Sequence, residues 1–387
     1  MRKILLLGAS GSIGSQTLDI IEKDPERFSL TAISVGFRVE KIPEILQKHP
    51  QISHICVRKE EDMIDLERSF PSIHFCFGDA GLKKICLEAD YDMAVNALVG
   101  FSGLVPSLTV LEENKILALA NKESLVVGGE LVNRLLSEGK GKLFPIDSEH
   151  VALAKMLDRV DRNDVDKMII TASGGSFRKK SREELGQVTP EMALNHPTWQ
   201  MGAKITIDSA TMMNKGFEII EAMYLYQWPL EKIDVILHEE SAVHSLLKLK
   251  DGSYLADISK PDMHGPIAYA LYEKQIDYQI YHEQRIEDFG PFHFHPFIPE
   301  RYPAVGIALS AIKRGGTAPA ILNAANEEAV YLFLDKKIPF LSIESLISSA
   351  LEHVSVKENP TLEDILEADS CARLFIQREA ERSRGCK

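Results

Sequence analysis

Long apolar runs are scarce in this chain. The first one, Ile4–Leu7, ends at Gly8 after only four residues, too short for the apolar stretch of a secretory leader. Met93–Leu111 carries no charge, but Asn96, Ser102, Pro106, Ser107 and Thr109 interrupt it, so a buried strand followed by a loop and helix is expected, not a membrane span. Cysteine is sparse: Cys56, Cys76, Cys86, Cys371 and Cys386 form no CxxC pair, and an odd count reads as reduced thiols in a reducing compartment. Positive charge is in deficit. A net charge of −13 argues against a broad nucleic-acid face or an anionic-membrane surface. A phosphorylated ligand would therefore need a local group of donors working against the global field. Internal repeats and low-complexity tracts are absent from the sequence, and the expected location is the cytoplasm.

With 387 residues, the chain exceeds what a single core of ordinary size organises. Through the first 150 residues, short β-branched runs alternate with helical patterns: Lys3–Leu7, Leu30–Val35, His54–Val57, His74–Phe77, Met93–Asn96, Ile116–Ala120 and Lys142–Ile146. That alternation predicts a Rossmann-like α/β domain with a mostly parallel sheet over residues 1–149. An α+β catalytic domain follows over 150–275, with strand-like runs at Met168–Thr171 and Val235–Leu237. Pro291, Pro296, Pro299 and Pro303 punctuate an expected linker over 276–303. An α-helical domain then covers 304–387, with Thr361 and Asp364 spaced as an N-cap pair for its last helix.

The first strand runs into Gly8-Ala9-Ser10-Gly11-Ser12-Ile13-Gly14 and then a helical stretch, Ser15–Glu22. Gly8 suits the tight turn, Gly11 close approach of a pyrophosphate, and Gly14 close helix–strand packing, while the helix N-terminus offers N–H groups to phosphate. The spacing is GxxGxxG, so it is the strand–turn–helix context that makes this a nucleotide site. After the second strand, Gly36-Phe37-Arg38 stands where an NAD site places a carboxylate, and an Arg there suits the 2′-phosphate of NADP. Asn121-Lys122-Glu123-Ser124 ends another strand at the same edge, which makes Lys122 a site candidate.

Asp147-Ser148-Glu149 follows the last of these strands. If the segment is extended, both carboxylates point the same way and can converge on one cation; taken alone, the favoured reading is that Asp147 or Ser148 caps the next helix. Support comes from Asp208–Glu218. A helix starting near Asn214 puts Asn214 and Glu218 on one face, with Lys215 beside them. Its first turn can bind phosphate through N–H groups, the Asn214 amide and the Lys215 ammonium. Glu218 sits about 5–6 Å further along the axis, which suits a short sugar phosphate with metal-chelating oxygens at its far end. Three carboxylates without Cys or His favour Mg²⁺ or Mn²⁺. Thr171-Ala172-Ser173-Gly174-Gly175 can add hydroxyl and N–H donors to the phosphate. In Asn195–Gly202, Trp199 and Met201 either pack permanently or close over a ligand, and the residues alone favour permanent packing. His238 and His244 are not an HExxH pair, since five residues separate them. His293 and His295 read as packing or solvated residues.

These motifs together resemble the 1-deoxy-D-xylulose 5-phosphate reductoisomerase family of non-mevalonate isoprenoid precursor biosynthesis. The resemblance rests on the glycine turn, Ala120–Ser124, Pro145–His150, the long run His196–Ala222, His244-Ser245, Pro261-Asp262-Met263 and Leu322–Glu327. It implies an oxidoreductase that rearranges and reduces 1-deoxy-D-xylulose 5-phosphate to 2-C-methyl-D-erythritol 4-phosphate. It implies NADPH and a divalent cation (Mg²⁺ or Mn²⁺, with Co²⁺ a third candidate), and a homodimer. By resemblance the metal ligands are Asp147, Glu149 and Glu218, and the phosphate contacts are Ser173, Ser209, Asn214 and Lys215. Lys122 and Ser148 touch the carbonyl and hydroxyl end of the substrate, with Glu149 and Glu218 nearby. His196, Trp199 and Met201 match a mobile flap, and His244 a further active-site histidine. The cofactor contacts extend from the glycine turn to Gly36, Arg38, Asn121, Glu123 and Gly202. The chain departs from the family pattern at Glu239-Glu240 (commonly Pro-Gln), Ser176 (Pro), His264 (Arg) and Phe37-Arg38 (a Lys-containing pair).

Overall fold

The computed structural model describes residues 1–275 and 285–385, so part of the expected 276–303 linker and Cys386 lie outside the described residues. The chain divides into two compact units.

The first unit comprises 1–124, 129–151 and 262–283. Its sheet is built from β1 (Arg2–Leu7), β2 (Phe28–Val35), β3 (His54–Val57), β4 (His74–Phe77), β5 (Met93–Asn96), β6 (Ile116–Leu119) and β7 (Lys142–Pro145). The spatial order is β4-β3-β2-β1-β5-β6-β7, and every neighbouring pair is parallel. Ile4, Leu5, Leu6 and Leu7 are all fully buried. That is why β1 reads as a continuous apolar run: helices cover both faces of a parallel sheet. The chain builds outward from β1 to β4 and then returns across β1 to β5. This reversal opens the crevice at the carboxyl ends of β1 and β5 where dinucleotides bind in such sheets.

The helix His264–Leu271 belongs to this unit, not to the central domain in which the 150–275 boundary placed it. Ile267, Ala270, Leu271 and Tyr272 join the sheet's core, and the Tyr272 ring meets Phe28 edge-on at 5.0 Å. Arg2 donates to the Leu271 carbonyl at 2.9 Å. These partners lie more than two hundred residues apart in sequence, so no local pattern signals them.

The second unit comprises 125–128, 152–261 and 284–387. Its mixed sheet contains β8 (Val165–Ala172), β9 (Ile233–Leu237), β10 (Val243–Leu249), β11 (Tyr254–Ile258) and β12 (His295–Pro296), in the order β11-β10-β8-β9-β12. Only the β8–β9 pair is parallel. The helix Met213–Tyr226 lays Ile219 and Ala222 on Met168, Ile170 and Ala172 of β8. Its other side crosses the helix Pro303–Arg314 closely, since a Cβ at Gly216 would stand 2.7 Å from the Ala308 Cβ. The helix Ala318–Leu334 is buried along most of its length and packs against Ser342–His353 and Leu362–Gly385. Thr361 and Asp364 form the expected reciprocal cap: the Asp364 N–H donates to Thr361 Oγ1 at 3.2 Å and the Thr361 N–H to Asp364 Oδ2 at 2.9 Å.

Candidate active site

In the first unit the glycine turn is shaped by close approach. Gly8 has φ +86°, and a Cβ there would stand 2.6 Å from the Ala97 carbonyl oxygen; one at Gly14 would stand 2.2 Å from the Gly8 oxygen. Gly11 is the helix N-cap, and the helix runs Ser12–Lys23. It therefore starts three residues before the expected Ser15, inside the motif, so the N–H groups of Ser12, Ile13 and Gly14 are those of its first turn. Ala9 and Ser10 are buried in the turn. A Cβ at Gly36 would meet nothing within 4 Å, and Phe37 is 76% exposed. Arg38 is exposed beside it. Arg58, just past β3, lies over the Phe37 ring at 4.3 Å. Sequence reading missed Arg58; the available signal was a basic residue at the same carboxyl edge as Arg38. We expect Arg38→Ala to weaken NADPH binding about tenfold with NADH binding nearly unchanged, the loss of one charge-assisted contact. Titration of each cofactor checks this, and equal losses would remove Arg38 from the 2′-phosphate.

Asn121 is 1% exposed and its amide serves the fold. Oδ1 accepts from the Ser124 N–H at 3.0 Å, while Nδ2 donates to the carbonyls of Leu98 and Gly100 at 3.0 and 2.9 Å and to Glu123 Oε2 at 3.2 Å. This fixes the start of the helix Lys122–Ser137 and hence the root of Lys122. Lys122 Nζ meets Asp147 Oδ2 at 2.5 Å. Burial pushes the Asp147 carboxyl upward, but the charges of Lys122 and His150 and a hydrogen bond with Glu149 outweigh it and hold Asp147 below the usual carboxylate range. Ser148 Oγ donates to Glu149 Oε2 at 2.6 Å. The expected extended geometry of Asp147–Glu149 is corrected here: the helix Ser148–Leu157 begins at Ser148, and the Val151 N–H already donates to the Asp147 carbonyl at 2.9 Å. Glu149 therefore sits in a first helical turn.

In the second unit the helices Ala203–Thr211 and Met213–Tyr226 meet at Met212, whose φ is +66°. Asn214 Nδ2 donates to Glu218 Oε1, and Lys215 Nζ meets Glu218 Oε2 at 2.5 Å. Glu218 is 1% exposed. The i, i+3 and i, i+4 spacing thus produces the expected grouping. Gly175, with φ +71°, packs against the preceding helix so tightly that a Cβ would stand 2.4 Å from the Ser209 oxygen. This seats the Ser173–Gly175 turn beside Ser209. The helix carrying Ser209 is fixed by a buried chain that sequence reading did not find: Lys204 Nζ to Asp208 Oδ2 at 2.8 Å, and Asn326 Nδ2 to Asp208 Oδ1 at 2.8 Å.

His196 Nδ1 accepts the N–H groups of Thr198 and Trp199 at 3.2 and 3.0 Å. Nε2 must then carry the ring proton and donate to Ser173 Oγ, 3.1 Å away. Burial and the Arg178 charge push the ring down to about 4, so this neutral tautomer persists at physiological pH. Trp199 and Met201 are half-buried. The Trp199 ring stands 6.5 Å from that of buried His244. Gly202 is exposed and caps the following helix.

The departures from the family pattern acquire local partners. Glu239 pairs with Arg178 at 3.1 Å and Glu240 with His293 at 2.5 Å. Ser176 Oγ donates to the Ala193 carbonyl at 2.6 Å, and His264 reaches Asp262 at 2.7 Å. His238 is a core residue: its Nε2 accepts from the Ala242 and Val243 N–H groups and its ring stacks on Phe294.

A dinucleotide-type sheet with an open switch point, in one chain with buried carboxylates paired to lysines, fits the class of two-unit nucleotide-dependent oxidoreductases. Within that class, the chain belongs to the 1-deoxy-D-xylulose 5-phosphate reductoisomerase family. The family description of that name matches residues 4–129, its C-terminal domain 143–226, and a further DXP reductoisomerase C-terminal domain 258–375. A 1-deoxy-D-xylulose 5-phosphate reductoisomerase 2 of Bacillus thuringiensis subsp. konkukian is 44% identical over 98% of this chain and 100% of its own length. A Geobacillus reductoisomerase is 46% identical over 97% and 99%. Among solved structures, a DOX-P reductoisomerase in complex with NADPH, fosmidomycin and magnesium is similar at TM-score 0.93 and 34% identity, covering 99% of each chain. The Zymomonas mobilis reductoisomerase in complex with NADPH is similar at TM-score 0.88 and 37% identity, covering 98% of this chain and 99% of that one.

Proposed function

We propose that this protein converts 1-deoxy-D-xylulose 5-phosphate to 2-C-methyl-D-erythritol 4-phosphate with NADPH and a divalent cation, Mg²⁺ or Mn²⁺. The observation that carries this reading is the turn of Met213–Tyr226, where Asn214 and Lys215 converge on Glu218 beside the Ser173–Gly175 turn and Ser209. It offers donors for a phosphate at one end and a carboxylate for a cation at the other.

Asp147, Glu149 and Glu218 fit a hard cation, because they supply only carboxylate oxygen. When bound, the cation would polarise the ketone and NADPH would supply the hydride. The remaining steps belong to the chain. Lys215 and Asn214 turn from Glu218 to the phosphate, joined by the hydroxyls of Ser173 and Ser209. Lys122 and Ser148 orient the carbonyl and hydroxyl end while the carbon skeleton rearranges to an aldehyde. His196, through its Nε2–H on Ser173, ties the segment bearing Trp199 and Met201 to the phosphate turn, and its closure over the substrate excludes water. His244 lies behind Trp199. The turn from Gly8 to Gly14 receives the pyrophosphate and Arg38 the 2′-phosphate, with Gly36, Asn121, Glu123 and Gly202 completing the cofactor contacts. We place the enzyme in the cytoplasm as a homodimer; no helix among the described residues is long and apolar enough to cross a membrane.

The cation assignment is tested by chelation. NADPH oxidation in the presence of substrate should fall to background in EDTA and return on adding excess Mg²⁺ or Mn²⁺. Full turnover in EDTA would overturn it.

A further inference from the structure

Three of the thiols gather at the edge of the first sheet, away from the glycine turn and from Lys122. Cys56 on β3 and Cys76 on β4 are Cα partners in register. Neighbouring strands lie about 4.8 Å apart, inside the Cα separation of about 4.4–6.8 Å that a disulfide spans. Both side chains face the helix Gly78–Glu88. A Cβ at Gly81 would stand 3.1 Å from Cys56 Sγ and 3.3 Å from Cys76 Cβ, and Cys76 Sγ donates to the Gly81 carbonyl at 3.2 Å. Gly81 thus leaves the sulfurs the space they occupy. Cys56 is buried, whereas half-buried Cys76 lines a cavity of about 160 Å³ with His54, His74 and Lys84.

We propose that Cys76 is a thiol-modification site for small aliphatic disulfides and that Cys56 is its resolving partner. The chemistry runs in two balanced steps. The Cys76 thiolate attacks one sulfur of the reagent RSSR, forming a Cys76–SR mixed disulfide and releasing RS⁻. Cys56 then loses its proton and attacks the Cys76 sulfur, forming the Cys56–Cys76 bond and expelling a second RS⁻. The reagent gains the two electrons the pair loses.

The electrostatics divide the roles in the same way. Interaction with the Cys56 side chain and the nearby Lys84 charge together outweigh burial and hold Cys76 below the usual thiol range. The interaction with Cys76 and burial push Cys56 up. Burial, with the Cys76 charge adding to it, pushes Cys86, on the neighbouring helix, up to about 12, which makes it an inert internal reference.

The test uses full-length protein carrying Cys371→Ser and Cys386→Ser, so that only the three thiols of the first unit remain, treated with 2-hydroxyethyl disulfide. Mass spectrometry should find a product lighter by two hydrogens, with the peptides containing Cys56 and Cys76 linked. Adding Cys56→Ser should halt the reaction at the mixed disulfide on Cys76. In the unsubstituted enzyme, pulse alkylation with iodoacetamide should label Cys76 at least about tenfold faster than Cys86, a comparison that requires no core substitution. Equal labelling of the two, or absence of the linked peptide after the mixed disulfide has formed, would overturn the proposal.

Discussion

Glu218→Gln lowers kcat by on the order of a thousandfold, about 4 kcal/mol of lost charge stabilisation at the reacting oxygens, while the dissociation constant for NADPH barely moves. Glu218 is 1% exposed and is held by Lys215 and by the Asn214 amide. Gln keeps the shape and can still accept one hydrogen bond, but it removes the charge that balances the lysine and would balance a cation. Some stability is lost too, because a buried ammonium keeps less compensation. The control is the cofactor: the glycine turn and Arg38 are built on the other unit's sheet. NADPH titration of the variant therefore distinguishes a damaged site from a misfolded chain. A variant with full turnover would remove Glu218 from the cation site.

Lys122→Met has the second largest expected effect, a fall in kcat of about a hundredfold or more, together with a new acid limb in the pH–rate profile. In the native protein the Lys122 charge is the leading influence that overcomes burial at Asp147 and keeps it ionised below the usual carboxylate range. The sign follows from linkage. A carboxyl depressed in the folded state contributes stability that is present above its unfolded value near 3.9 and lost as pH falls through the depressed folded value. Without Lys122 less opposes burial, so the carboxyl moves up and protonation begins at higher pH. Activity of Lys122→Met should then decline on acidification through a range where native activity is flat. Profiles that superimpose after scaling would mean that Lys122 does not control Asp147.

Much of this architecture was legible because its signals are local. The expected β3, β4 and β5 match the observed strands residue for residue, and β1, β2, β6, β7, β8 and β9 differ by a residue or a few at their ends, where fraying and capping decide the boundary, whereas β10, β11 and β12 have no counterpart among the expected strands. The Asn214–Lys215–Glu218 grouping was legible for the same reason, since helical periodicity alone dictates it. The errors arise where tertiary structure decides. Asp147-Ser148-Glu149 looks the same as a strand end or a helix start, and only the Asp147 carbonyl accepting from Val151 resolves the choice. The helix His264–Leu271 joins the first sheet through Phe28 and Arg2, contacts that carry no signature in its own residues. Arg58 over Phe37, Arg178 on Glu239, and Asn326 on Asp208 are likewise pairings across distant segments. The tautomer of His196 depends on two backbone N–H groups that exist only once its loop has turned.

The most direct test of the central claim is product analysis after incubating the protein with 1-deoxy-D-xylulose 5-phosphate, NADPH and Mg²⁺. The account predicts that NADPH loss at 340 nm matches, mole for mole, the appearance of 2-C-methyl-D-erythritol 4-phosphate. Folded protein that binds NADPH yet leaves both substrate and cofactor unchanged would contradict it.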